Sequence, residues 1–166
     1  MTQTEIAHSI IAEFYGQSRA KRSNELLIKH IDDGLRVLDQ LGASDTTKAA
    51  YALHPIFQTD DQLPKVRFIR EIEQLTHWTI VLACEYRNIA NAYLSTRRIT
   101  NINQITLSPL YEVNQMLMAD KVQNFHDFMM HHYGKHERSE ALFNYFNNWF
   151  ERLGIEPEDF KGCFTE

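Results

Sequence analysis

Apolar residues recur at helical spacing along nearly the whole chain, and glycine closes four of these runs. Ile6, Ile10, Ile11 and Phe14 lead to Gly16. Leu27, Ile31, Leu35, Leu38 and Leu41 lead to Gly42. Leu110, Val113, Leu117, Val122, Phe125 and Phe128 lead toward Gly134, and Leu142, Phe143, Phe146, Trp149, Phe150 and Leu153 end at Gly154. A period of three to four residues puts such side chains on one face of an α-helix, and glycine accepts the left-handed conformation that stops one. No stretch alternates with period two. The pattern predicts an all-α fold, and 166 residues suit a single domain, residues 1–166, with a proper core.

Local signals set the expected boundaries. Thr2 and Glu5 have capping-box spacing. Ser23 is expected to cap a second helix, and Ser44 or Asp45 a third that carries Ala49, Ala50 and Leu53. Proline disfavours helical geometry in the residue before it, so Pro55 predicts that the third helix ends near His54 and that residues 55–63 form a loop. Pro64 suits the first position of a fourth helix with Val66, Ile69 and Ile72 inward. Residues 76–94 read as a more apolar helix, expected at the centre. Ser108 precedes Pro109 as a cap for the helix beyond.

Composition excludes some functions. A net charge of −5 argues against binding nucleic acid, which needs a broad basic surface. No run of eighteen apolar residues exists, so no membrane span is expected. Glu5, His8 and Glu13 interrupt the first apolar stretch, unlike a signal peptide. Cys84 and Cys163 form no CxxC motif and fit a reduced, cytoplasmic protein.

Three polar residues need an explanation. His30 sits among Leu26, Leu27 and Ile31; His54 closes an apolar helical run; Asp120 falls inside the apolar run of "NQMLMADKVQNF". A carboxylate there must be paired, hydrogen-bonded or bound to a cation. Two histidines and one aspartate are the ligand types of a mononuclear metal site with open positions, and hydrogen-bonded core residues are the competing account. The denser cluster His126, His131, His132 and His136 includes a pair four residues apart, but Gly134 lies between them, and a surface cluster favourable to a helix C-terminus is the expectation. Arg97 and Arg98 could serve a phosphate or sit in a solvated loop. The stripe Phe143, Phe146, Trp149 and Phe150 has core spacing; any excess over one core would mark a homodimer face.

These residues also resemble a family. "KRSNELLIKH" (21–30) begins with a basic pair and ends at a histidine. "LGASDTTKAAYALHPIFQT" (41–59) has a small loop, an alanine-rich helix end and a histidine. "MADKVQNF" (118–125) sets an asparagine four residues after an aspartate, and "FNYFNNWFERLGI" (143–155) ends in Arg-Leu-Gly. In this order they are similar to the motifs of the hydrolase domain of Rel/SpoT-type enzymes. Those are helical members of the HD superfamily that degrade the alarmones guanosine tetra- and pentaphosphate. The resemblance covers roughly residues 15–155. It implies His30, His54 and Asp120 as ligands of one divalent ion (manganese, iron or zinc), Lys21 and Arg22 as the pair that contacts the base, and Asn124 as the asparagine one turn beyond the ligand aspartate.

The departures fall on the chemistry. Pro55 stands where the family has a ligand aspartate, and Gln58 and Thr59 replace the Glu-Asp pair that serves the attacking water. Gln58 can orient a water but cannot accept its proton near neutral pH, and loss of a general base costs about 10²–10⁴-fold in rate. Asp60 and Asp61, or Glu71 and Glu73, are the carboxylates that could compensate. The expectation is therefore a degenerate HD-domain protein that binds a purine nucleotide phosphate or other small phosphorylated ligand as a regulatory module, with hydrolysis lost or weak. The alternative is a metal-dependent phosphohydrolase with a reduced two-His-one-Asp site and Gln58 on the water. A purely structural protein is the third reading.

Overall fold

The computed structural model describes residues 1–21, 23–93, 99 and 101–164. Among the described residues six α-helices carry the architecture: α1 (Gln3–Tyr15), α2 (Leu27–Gln40), α3 (Asp45–Gln58), α4 (His77–Ala92), α5 (Tyr111–His131) and α6 (Ser139–Leu153). Among the described residues there is no strand, only an isolated antiparallel bridge between Arg19 and Leu26. No described helix is long and apolar enough to cross a membrane. The fold is all-α, as the periodicity predicts.

The stops lie where the glycines are. Gly16, Gly42, Gly134 and Gly154 all have positive φ, between 51° and 75°. The Thr2–Glu5 capping box forms in full. The second helix begins later than Ser23 suggests, with Leu26 as its N-cap. Asn24 there has a φ of 60°, and an antiparallel bridge pairs Arg19 with Leu26 before α2 starts.

The helix at the centre is α3, not the expected 76–94 segment. It packs between α1 and α4 and also touches α2 and α5. Ala49, Ala50, Tyr51, Ala52 and Leu53 are fully enclosed, so every side of the helix meets protein. Small alanines allow neighbouring helices to come close on all sides. Helix α4 is one-sided: Leu82, Ala83, Tyr86 and Ala90 are buried, while Trp78 and Val81 remain exposed.

Pro55 does not end α3, which continues to Gln58. A proline inside a helix costs about 3 kcal/mol. Continuing the helix buries Ile56 and Phe57 almost completely, which is worth about 1.5–3 kcal/mol for each side chain. Burial wins. The final carbonyls of α3 are then taken by Arg87, which donates to Phe57 and Gln58, and by Asn91, which donates to Gln58 at 3.0 Å.

The segment after Pro64 is not an α-helix either. Residues Leu63–Phe68 and Arg70–Gln74 form two 3₁₀ turns. Leu63, Val66, Ile69, Ile72 and Leu75 all face the core, and they recur every third residue. A 3₁₀-helix has three residues per turn and eclipses i with i+3, so this spacing gives one apolar row in 3₁₀ geometry and a drifting one in α geometry.

The contact of α2 with α3 sets up the site. A Cβ added to Gly34 would lie 1.9 Å from the Tyr51 hydroxyl. Only glycine lets the buried Tyr51 ring lie against α2 here. His30 precedes Gly34 by one turn, and His54 follows Tyr51 by nearly one turn. The close approach therefore brings both imidazoles to the same end of the contact, with ring centroids 5.4 Å apart.

Candidate metal centre

His30, His54 and Asp120 come together from α2, α3 and α5. One ligand atom from each lies within 4.8 Å of the others. His30 Nε2 is 3.7 Å from Asp120 Oδ1. Two atoms bound tetrahedrally to one ion at about 2.1 Å are about 3.4 Å apart, so an ion needs the widest pair of the trio to close by up to about 1.4 Å. Among the described residues this is the one group of three or more such side chains so placed.

Both imidazoles are held from behind. His54 Nδ1 is 2.6 Å from the Tyr51 carbonyl, which can only accept, so Nδ1 carries the proton and Nε2 keeps its lone pair. His30 Nδ1 bonds to Gln123 Oε1. The Gln123 amide is itself oriented, because its Nε2 donates to Asp127 at 2.9 Å. His30 Nδ1 therefore donates, and its Nε2 is the free acceptor. An imidazole whose Nδ1–H is satisfied by an oriented acceptor, with its other ring nitrogen left to accept, is the arrangement that metal-binding histidines use.

The carboxylate is equally fixed. Asn124 Nδ2 donates to Asp120 Oδ1 at 2.9 Å, and Lys121 Nζ donates to Oδ2 at 2.9 Å. Burial would raise the Asp120 pKa, but Lys121, then His30 and His54, outweigh it and hold the group well below the usual carboxylate range. Lys121 is the reciprocal case: burial opposes its charge, and Asp120 more than restores it. Its ammonium also lies 5.0 Å from the Trp149 ring centre. Burial, and next to it the neighbouring His30, pushes His54 down to about 4, so it is neutral at physiological pH. Burial and the neighbouring Asp120 push the Tyr86 hydroxyl well up. The Tyr86 hydroxyl bonds to Asp120 as well, so with Lys121 and Asn124 three of the four carboxylate lone pairs are used and one is left for a cation.

The donor set fits a divalent first-row ion. Two imidazoles suit manganese, iron or zinc, and three protein ligands leave positions for water or a ligand oxygen. The trio opens into a cleft of about 450 Å³, whose wall includes Gln58, Tyr93, Lys121, Asn124, Asp127 and Tyr145.

The remaining predicted residues divide. Asn124 lines the cleft, though its amide N–H is committed to Asp120. Gln58 lines it one turn beyond His54. Lys21 is exposed and is not on the wall, although Ala20 and Ser23 are. Arg22, Arg97 and Arg98 lie outside the described residues. Pro55 is half-buried and does not line the cleft. None of the compensating carboxylates reaches it: Asp60 pairs with Arg87, and Asp61, Glu71 and Glu73 are exposed elsewhere. In the aromatic stripe Phe146, Trp149 and Phe150 are buried in this chain's own core, and Phe143 is half-buried.

Sequence reasoning missed Lys121, Gln123 and Asp127. Adjacent helical residues point about 100° apart, so nothing in "ADK" announces that Lys121 folds back onto Asp120. The Gln123–Asp127 spacing of four was visible as a helical pair, but not its target on α2. No family model, curated protein or solved structure matches the chain.

Proposed function

We propose that the chain is a divalent-metal-binding protein of the HD type, related to the alarmone hydrolases. In this reading it holds a purine nucleotide phosphate, or another small phosphorylated ligand, as a binding or regulatory module with hydrolysis lost or weak. The observation that carries the reading is the meeting of His30, His54 and Asp120 with both Nε2 atoms left as acceptors. A bound ion would supply Lewis acidity toward a ligand oxygen.

Charge supports an anionic ligand. The cleft wall carries two carboxylates, Asp120 and Asp127, and one ammonium, Lys121. That is one net negative charge with the histidines neutral, so a divalent ion leaves the loaded cleft with about one positive charge. The make-up of the wall supports weak hydrolysis. Among the described residues no carboxylate on the cleft wall stands free beside the trio, because Asp120 is held by Lys121 and Asn124, and Asp127 is held by Gln123.

A second reading, a phosphohydrolase with a reduced site, is favoured by one observation. Gln58 lines the cleft next to the trio, where its amide can orient a water.

Metal analysis of the purified protein, with titration by manganese, iron and zinc, tests the centre. Thermal shift with guanosine mono-, di- and tetraphosphates tests the ligand. At a hundred times its dissociation constant a ligand adds about 2.7 kcal/mol of stability. Uptake of one ion per chain and a nucleotide-dependent rise in Tm are expected. Neither effect with any of these probes overturns the proposal, and phosphate release under turnover conditions selects the second reading.

A further inference from the structure

We infer that Pro55 is a positioning residue for His54: by withholding a backbone N–H, it leaves the Tyr51 carbonyl to the His54 imidazole and so holds Nε2 open toward the cleft. The consequence for metal binding rests on the proposed function; the effect on the ring's proton does not.

An α-helix pairs each carbonyl with the N–H four residues on. In α3 the Tyr51 carbonyl should accept from the N–H of residue 55. Residue 55 is proline, inside the helix, and has no N–H to give. The carbonyl belongs to a fully buried residue and is out of reach of bulk water. A buried carbonyl without a partner is costly. His54 Nδ1 stands 2.6 Å away and takes it.

A neutral imidazole has two places for its single proton. On Nδ1 it meets the Tyr51 carbonyl. On Nε2 it turns away from that carbonyl, beside a group in which one Asp120 oxygen lies within 4.8 Å of a His54 ring nitrogen. The second placement is electrostatically attractive and would block the site, because a protonated Nε2 cannot bind a cation. An unshared carbonyl at short range tips the balance to Nδ1–H. A residue with its own N–H at position 55 would compete for that carbonyl. Pro55 therefore gives up one helical hydrogen bond and gains a fixed imidazole one residue earlier. The matching device on His30 is a side chain, Gln123, steered by Asp127.

The test is Pro55→Ala, read in two ways. The first is the ¹⁵N spectrum of metal-free protein labelled at histidine, which distinguishes the two ring nitrogens by protonation. Wild-type His54 is expected as a single Nδ1–H form, and the variant as a mixture with Nε2–H. The second is manganese and zinc affinity, expected about tenfold weaker, the lower end of what loss of such an outer partner costs. Tm is expected to rise, because alanine is the better helix former. A purely structural proline predicts the same rise with no change at the ring and unchanged affinity. An unchanged His54 spectrum in the variant overturns the inference. Failure of the wild type to take up metal overturns the metal reading instead, and the spectrum still decides the role of Pro55.

Discussion

Two regions of this molecule are rich in histidine, and they differ in how the residues are gathered. His126, His131, His132 and His136 crowd within eleven positions around the end of α5. They scatter in space. His126 stacks on Phe164 at 4.0 Å, His132 lines the cleft, and His136 Nδ1 accepts from the Arg138 N–H at 3.0 Å. α5 stops at His131, and Gly134 in left-handed conformation breaks continuity between His132 and His136. His30 and His54, by contrast, come from different helices, and the third member, Asp120, is far along the chain. These three converge. Such a convergence is made by helix packing, here by the missing side chain of Gly34, and a dense stretch of sequence is neither necessary nor sufficient.

The largest separation between the two regions is expected for Asp120→Ala. It removes the carboxylate from the trio and leaves the Lys121 ammonium buried without its partner. Breaking a buried pair in this way costs about 3–5 kcal/mol. Urea denaturation should show that loss, together with loss of ion uptake. Full retention of stability would mean that Lys121 escapes to solvent once Asp120 is gone.

Acid should distinguish the regions next. His54 titrates at about 4 in the folded chain against about 6.5 when unfolded. The folded pKa is the lower, so the unfolded chain gains the proton first as pH falls. The stability due to a neutral His54 is complete above about pH 6.5 and is lost progressively toward pH 4, to a total of about 3 kcal/mol. His126 is shifted in the same direction, also by burial, but its ring is partly exposed and its contribution is smaller. Urea midpoints of metal-free protein between pH 7 and 4.5 should fall steeply in the wild type and in His126→Ala, and much less in His54→Gln. A steep fall that survives in His54→Gln would move the acid sensitivity elsewhere.

What the sequence makes legible follows the same divide. Helix class and the four glycine stops are local, and they were readable from spacing and side-chain type alone. The Thr2–Glu5 box is local too. The continuation of α3 past Pro55 was not readable, because it depends on Ile56 and Phe57 finding a core supplied by other helices. The 3₁₀ turns over Leu63–Phe68 and Arg70–Gln74 did leave a trace, since their apolar residues repeat every three positions, but a three-residue period is easily taken for the i, i+3 half of an α pattern. At the site, His30, His54 and Asp120 stood out as polar residues in apolar runs. Their partners Lys121, Gln123 and Asp127 did not, because each acts on a residue that the sequence does not place beside it.

A smaller effect tests whether Gly34 sets the convergence. Gly34→Ala must displace the enclosed Tyr51 ring, and overpacking of this kind costs about 1–3 kcal/mol. Since His30 lies one turn before Gly34 and His54 shortly after Tyr51, the same shift should separate the imidazoles and weaken ion binding. Calorimetry with zinc would measure both from one preparation. Reduced stability with unchanged affinity would show that α2 can yield at position 34 without moving His30, and the approach of the two helices would then not be what assembles the trio.

The smallest effect is expected where histidines are densest. His136→Ala removes the one spacing in the α5 cluster that could chelate, the pair four apart with His132. Its ring is half-buried, and what is lost is a single hydrogen bond to the Arg138 amide, about 0.5–1 kcal/mol. Ion affinity should stay within error of the wild type, because the break at Gly134 already denies His132 and His136 a common helical face. A clear drop in affinity would invert the comparison: the ion would then belong to the crowded end of α5, and the buried trio would be a hydrogen-bonded knot that holds three helices together.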